Sequence, residues 1–461
     1  MTDQGANGKP PLPDGHIKVG DDIIRGGSPG SYFFYRPNEI LVRHEQLEKA
    51  EGLLGTLKPA PPSGEGDRAK QRRAKREAGR AHESTEPRTP FGVVAYRFRG
   101  TNAKREPLTL QAAVEALGDG VADYNYVTAR SPMRSHAVSY AEPADPAAVH
   151  PSLPAAGERD GLVKVGVLDT GRPYYSDEFH AYYEERRQSG VDAARRSAGS
   201  QSQQGVLPSL RSTDVIFVDP PRPRGEDPDL PADDQDTLVK PFGRLAHPHA
   251  GHGLFVSSII ARHAPRAGIV VETTMSHDAI GDLYDMLLDL DDARSVGCQL
   301  LNISMGFPTE KDRQPSMLEK AVDDLYNDEI LVVASAGNDG GRREVWPAAH
   351  PRVVAVAATD KRGSPTDWSN YGEWVNACAY GDEVISNYVF ADWDFPDGTA
   401  KRFRGAARWS GTSFAAPLVT AMIASEMAKD RRRTPQAAWE QVEGTGKRIR
   451  EYGVRISATE P

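Results

Sequence analysis

Between residues 162 and 360, short runs of nearly uninterrupted apolar residues alternate with longer stretches of helical periodicity. LVKVGVLD (162–169), AGIVVETT (267–274), CQLLNISMG (298–306), EILVVASAGN (329–338) and RVVAVAATD (352–360) have the length and β-branched content of strands. GLFVSSIIARHA, DLYDMLLDLDDA and SMLEKAVDDLYND, which separate several of them, carry apolar residues three and four apart. Strands that are apolar on both faces must be covered on both faces, and strands joined through helices run parallel. The pattern therefore predicts an α/β fold of three layers, a parallel sheet with helices on both faces. In such folds, sites gather beyond the carboxyl ends of the strands.

A smaller α+β unit is predicted ahead of this domain, over residues 36–132. EILVR (39–43), VVAYRFRG (93–100) and VADYNYV (121–127) read as strands, HEQLEKAEGLLGTL and LTLQAAVEALGD as amphipathic helices. Residues 1–35, rich in Gly, Pro and Asp, read as a flexible tail, with order beginning near Pro37. A polar insert at 59–89 carries Arg68, Lys70, Arg72, Arg73, Lys75, Arg76 and Arg80, as a solvated segment or a docking surface for an acidic partner. Residues 133–160, with four prolines, read as a linker; 161–452 form the large domain with an insert at 176–246, and 453–461 a closing tail. A chain of 461 residues exceeds what one core supports, in keeping with two units.

The net charge of -9 argues against general nucleic-acid affinity. Neither an export signal nor an apolar stretch of membrane-spanning length is recognised, so cytoplasmic residence without a membrane segment is expected. Cys298 and Cys378 read as buried thiols. The acidic run EDPDLPADDQD (226–236) reads as a solvated loop, a calcium site or a counterpart to the basic insert.

Four positions stand at expected strand or helix ends. VGVLDTG places Asp169 where a partly buried carboxylate needs a hydrogen-bond partner, although a turn or cap role fits equally well. HPHAGHG places His252 at the start of a helix, where a carboxylate partner would suit it to move protons near neutrality. ILVVASAGN presents Asn338 in a glycine-rich turn, as an amide donor or simply a residue tolerant of that turn. GTSFAAPLVTAMIASEMA starts a helix beside Ser413, whose oxygen would lie near free N–H groups, with Pro417 read as a first-turn residue that needs no helical donor.

Taken together, VGVLDTG, GHGLF, LNISMG, VVASAGN and GTSFAAP, in the order acid, histidine, serine, resemble the subtilisin-like serine peptidases over roughly residues 161–430. The resemblance implies an endopeptidase in which Ser413 is the nucleophile, His252 the base, Asp169 its orienting partner and Asn338 an oxyanion donor. It also implies a polypeptide substrate lying between Ser304-Met305-Gly306 and Ala334-Ser335-Ala336-Gly337, both expected as open backbone edges. Glu344 or Val345 would form the base of the primary pocket. The resemblance further implies that no catalytic cofactor is required, that structural calcium is allowed, and that the N-terminal unit corresponds to an inhibitory propeptide acting within the chain. Leu254 departs from the family's usual hydroxyl residue beside the base. Two rival readings remain: a catalytically silent binding module on the same fold, and a metal hydrolase using His247, His249 and His252, whose spacing lacks the usual helical i, i+4 pair. On the peptidase reading, His247 and His249 are loop residues near the cleft mouth.

Overall fold

In a computed structural model, residues 16–18, 23–28, 31–60, 89–128, 141–144, 163–173, 235–236, 248–275, 280–394 and 400–457 are described. Nearly all of the basic insert, most of the linker and nearly all of the acidic insert lie outside them. The first unit contains β1 (Ile17–Lys18), β2 (Ile24–Gly26), β3 (Phe33–Arg43), α1 (Leu47–Leu54), β4 (Val93–Arg97), α2 (Leu110–Leu117) and β5 (Ala122–Thr128). The tail reading of residues 1–35 is corrected for 17–18, 24–26 and 33–35: β1 pairs with β2 and β2 with β3, burying Ile24 and Phe33. Glycine and proline density concealed strands whose register comes from β3. Gly26 is one reason for that composition, since a Cβ there would lie 2.5 Å from the Phe33 ring.

The connecting segment supplies β6 (Glu142–Pro143). The large domain follows with β7 (Val163–Asp169), β8 (Arg172–Pro173) pairing with β9 (Gln235–Asp236), α3 (His252–His263), β10 (Ala267–Thr273), β11 (Gly281–Asp282) and α4 (Leu283–Ser295). After these come β12 (Leu300–Ile303), α5 (Ser316–Asn327), β13 (Leu331–Ser335), β14 (Val353–Thr359), β15 (Ala377–Tyr380), β16 (Val384–Asp394) and β17 (Ala400–Trp409). The last elements are α6 (Thr412–Met427), α7 (Pro435–Thr445), β18 (Lys447–Ile449) and β19 (Gly453–Arg455).

The main sheet runs β10-β7-β12-β13-β14-β15-β19-β18, parallel except for the final β19-β18 pair. Residues 453–455, expected in a tail, are thus sheet residues: Gly453 keeps φ at +67° with a backbone carbonyl, Asn376 O, 2.0 Å from any Cβ added there.

Period-two alternation sorts the core. Val165, Val167, Leu331 and Val333 face α3 and α6, whereas Leu168, Leu301, Ile303, Val332 and Ala334 face α4 and α5. Each fully buried Val or Leu contributes about 1.5–3 kcal/mol, so both faces of the sheet are strongly held.

The first unit shares the second of these cores, because Ile40, Leu41 and Tyr124 belong to the same apolar cluster as Leu287, Met317 and Leu318. Its sheet continues onto the large domain through pairing of β5 with β11. Asn125 Oδ1 accepts from Tyr284 N at the start of α4, and Asp123 Oδ2 from Ser316 N at the start of α5, both at 3.0 Å. Two helix ends that would otherwise hold orphan N–H groups are therefore capped by this unit. Tyr126 stacks on Phe307 with centroids 5.6 Å apart, and Arg36 forms a buried ion pair with Asp282.

Candidate active site

Strand β7 lies inside the sheet between β10 and β12, and Asp169 is its last residue, fully buried. Its carbonyl accepts from Thr274 N and Met275 N, and its Oδ1 from Thr170 N at 2.7 Å. The same Oδ1 accepts from His252 Nδ1 at 2.7 Å. This bond makes Nδ1 the donor and leaves Nε2 as the acceptor of the neutral ring.

The approach of the two elements is exact to a single atom. A Cβ on Gly253 would fall 2.1 Å from Gly171 O, so only glycine lets α3 start against the Asp169 turn. Gly253 N then donates to Thr170 Oγ1 at 3.1 Å. Leu254, the departure from the family pattern, is buried.

His252 sits at the first position of α3 against aromatic rings: Trp409 lies edge-on at 5.1 Å and Phe414 at 5.3 Å. His249, expected as a loop residue at the cleft mouth, is instead buried, with its ring 6.2 Å from that of His252 and 5.2 Å from Trp409. Packing of the 248–251 turn under Tyr388 and Trp409 was invisible to local sequence. His247 lies outside the described residues.

Ser413 is the second residue of α6 and is partly exposed, while its neighbours Thr412 and Phe414 are buried. Pro417 is the sixth residue of that helix, not a first-turn residue as expected. Lacking an N–H, it cannot bond the carbonyl four residues earlier, which is that of Ser413. Ser304 Oγ fills the gap, donating to Ser413 O at 3.0 Å. In return, Ser413 Oγ donates to Ser304 O at 3.2 Å.

Behind this pair runs a buried chain that the sequence reading missed. Thr420 Oγ1 donates to Asn302 Oδ1 at 3.0 Å, and Asn302 Nδ2 to Ser304 Oγ at 3.0 Å, tying α6 to β12. The signal was present as one polar residue in the apolar strand LLNI, facing a threonine on an apolar helix.

Asn338 is held from the serine side. Its Oδ1 accepts from both Thr412 N and Thr412 Oγ1 at 2.9 Å, which leaves Nδ2 as the outward donor. Thr412 Oγ1 in turn accepts from Gly337 N at 3.1 Å.

The two segments expected as backbone edges differ in their pairing. The β12–β13 ladder ends at Ile303 and Ala334, so Ser304, Met305 and Gly306 run on beyond it. Ala334, by contrast, is paired with strands on both sides, and Ser335 with Val356. Ala336 N donates to Val356 O, Ala336 O accepts from Asn370 Nδ2, and Gly337 O accepts from Asn370 N. Asn370 and β14 therefore take the Ala336 backbone and the Gly337 carbonyl, and Thr412 the Gly337 N–H, at the end of this segment.

Between the two segments lies Val345, whose Cγ1 would be 2.5 Å from a Cβ on Gly306 and whose Cγ2 would be 3.5 Å from one on Gly337. Glu344 is half-buried, and burial beside Asp312 holds its carboxyl above the usual range. Cys298 and Cys378 are buried free thiols, each pushed up to about 12 by desolvation.

Residues 160–449 match the model of the subtilase family. The chain is 30% identical over 192 residues to a thermophilic serine proteinase of Bacillus sp. (strain AK1), an alignment covering 41% of this chain and 44% of that protein. It is 29% identical over 159 residues to subtilisin BL of Lederbergia lenta, covering 32% of this chain and 58% of the relative. The chain thus spans about half the length of these relatives. Among solved structures, a cold adapted subtilisin-like serine proteinase aligns with a TM-score of 0.43 at 19% identity, covering 68% of this chain and 96% of that one.

Proposed function

The chain belongs to the subtilase family, and from that premise we propose that it is a serine endopeptidase working through Asp169, His252 and Ser413, with Asn338 in the oxyanion hole. The observation that carries this reading is the 2.7 Å bond from His252 Nδ1 to Asp169, which commits the ring's Nε2 to act as the base. Ser413 Oγ leaves the Ser304 carbonyl, gives its proton to Nε2 and attacks a peptide carbonyl. His252 then passes that proton to the departing amine, while Asp169 stays ionised and steadies the imidazolium. The charge that develops on the carbonyl oxygen is met by Asn338 Nδ2, held outward by Thr412, and by the Ser413 N–H at the start of α6. An extended polypeptide lies along 304–306, and Val345, between Gly306 and Gly337, favours small apolar side chains in the primary pocket.

The N-terminal unit is proposed to hold this activity in check from within the chain. Its capping of α4 and α5 and its share in one apolar core support that role. One observation favours the rival reading of a silent binding module: the Ser413 hydroxyl is bonded to Ser304.

A fluorophosphonate probe, applied before and after mild proteolysis of residues 1–160, separates the two. Labelling of Ser413 that grows on proteolysis is expected, and none in either state would leave only the silent module. Intact mass of the wild type beside Ser413→Ala then reports self-processing, expected only where the serine is present.

A further inference from the structure

Strand β17 has two edges. One is paired along β16; the other, among the described residues, carries β6, with Pro143 opposite Ala407 and Glu142 opposite Arg408. Ala144 N donates to Ala406 O at 3.3 Å. Lys401 Nζ donates to Ala141 O at 3.3 Å and pairs with the Glu142 carboxylate. Ala141 is fully buried in the cluster that contains Ala391 and Phe403. Pro143 suits an outermost strand, where no N–H is asked of it.

The place of this edge relative to the chemistry follows from two contacts. Ser304, whose carbonyl meets Ser413 Oγ, marks the side of the serine taken by the acyl half of a substrate. Trp409, the last residue of β17, lies edge-on to His252 at 5.1 Å. The imidazole protonates the departing amine, so that half of the substrate leaves on the His252 side, toward β17.

We propose that the β17 edge at residues 406–408 is a strand-docking site for the leaving-group half of a polypeptide, selecting an acidic residue through Lys401, and that Ala141–Ala144 is its resident occupant. The proposal rests on the peptidase reading above. Main-chain pairing supplies the affinity of such a site and side-chain partners its selectivity. Lys401 is 18% exposed and its partner Glu142 61%, so the lysine belongs to the built surface and the carboxylate to the exchangeable strand.

The test uses the full-length chain as wild type, Glu142→Lys, Lys401→Glu and the double exchange. Hydrogen exchange at the amides of 406–408 is expected to quicken about fivefold in each single variant, as loss of an ion pair of about 1 kcal/mol implies, and to recover in the double. With Glu142→Lys, quenched peptides carrying Glu after the cut bond should be hydrolysed about fivefold faster than their Lys counterparts, a preference that Lys401→Glu removes. Exchange indifferent to Glu142→Lys, or equal cutting of the two peptides, overturns the proposal. Fluorophosphonate labelling that fails in every variant would instead bring down the peptidase reading, and the exchange arm, which needs no catalysis, decides strand docking by itself.

Discussion

Ser304 and Ser413 hold each other by exchanged hydrogen bonds, hydroxyl to carbonyl in both directions, at 3.0 and 3.2 Å. Pro417 makes the first of these necessary, since it withdraws the helical donor from the Ser413 carbonyl. The backbone of Ser413, the proposed nucleophile, is thereby anchored to the strand along which substrate is proposed to lie.

Asn302→Ala should show the cost of breaking the chain behind that anchor. Ser304 Oγ loses a donor in a buried setting, while the Thr420 hydroxyl keeps the Ala416 carbonyl as acceptor, a loss of about 1–3 kcal/mol. Thermal unfolding should occur several degrees lower, and turnover should fall more than KM changes. An unchanged melting temperature would mean that the chain does not bear on stability.

Thr412→Val should loosen Asn338 without touching the proposed triad. The hydroxyl that donates to Asn338 Oδ1 and accepts from Gly337 N is lost, while the backbone N–H of residue 412 still holds the amide. Misplacement of a catalytic group by about 1 Å costs on the order of 100-fold, so a partial loosening should lower kcat about tenfold. KM should stay within a factor of about two, because oxyanion contacts form in the transition state. A rise in KM at constant kcat would count against an oxyanion role for Asn338.

Val345→Gly should open the space between Gly306 and Gly337. Peptides with Leu or Phe before the cut bond should gain at least about tenfold in kcat/KM over those with Ala, in line with about 1–3 kcal/mol for methylene-sized changes in an apolar pocket. An unaltered ranking would place the pocket elsewhere.

Asp123→Asn should change how stability depends on pH. Burial pushes the Asp123 carboxyl up to about 7, against the backbone N–H bonds from Tyr124 and Ser316 that favour its ionised form. A folded pKa above the unfolded one means that the native state binds the proton more tightly. The resulting stabilisation is complete below the ordinary carboxylate value and is lost as pH rises through about 7. The wild type should therefore lose melting temperature between about pH 4 and 7 relative to Asp123→Asn, whose amide keeps an acceptor for Ser316 N without the titration. Parallel pH profiles of the two proteins would refute the assignment.

Much of the candidate site was legible in local patterns. Asp169 closes an apolar strand, His252 opens a helix between two glycines, and Ser413 follows a glycine at a helix start; each pattern needs only near neighbours along the chain. The strands of 17–26 and 453–455 were not legible, because their order comes from β3 and β15 rather than from their own composition. The pairing of Ala336 and Gly337 was not legible, because its partners, Asn370 and Val356, are distant in sequence.

The sequence by itself determined the layered α/β class, the family and the four residues around which the proposed chemistry is built, since apolar period and residue type are carried by each short segment alone. Only the tertiary structure decided that Asp169 and His252 meet on one oxygen, that Ser304 replaces the donor Pro417 lacks, that Val345 sits between two glycines, and that Ala141–Ala144 covers the β17 edge. Those are distances between segments tens to hundreds of residues apart, and packing of the two cores, not any local preference, brings them within hydrogen-bond reach.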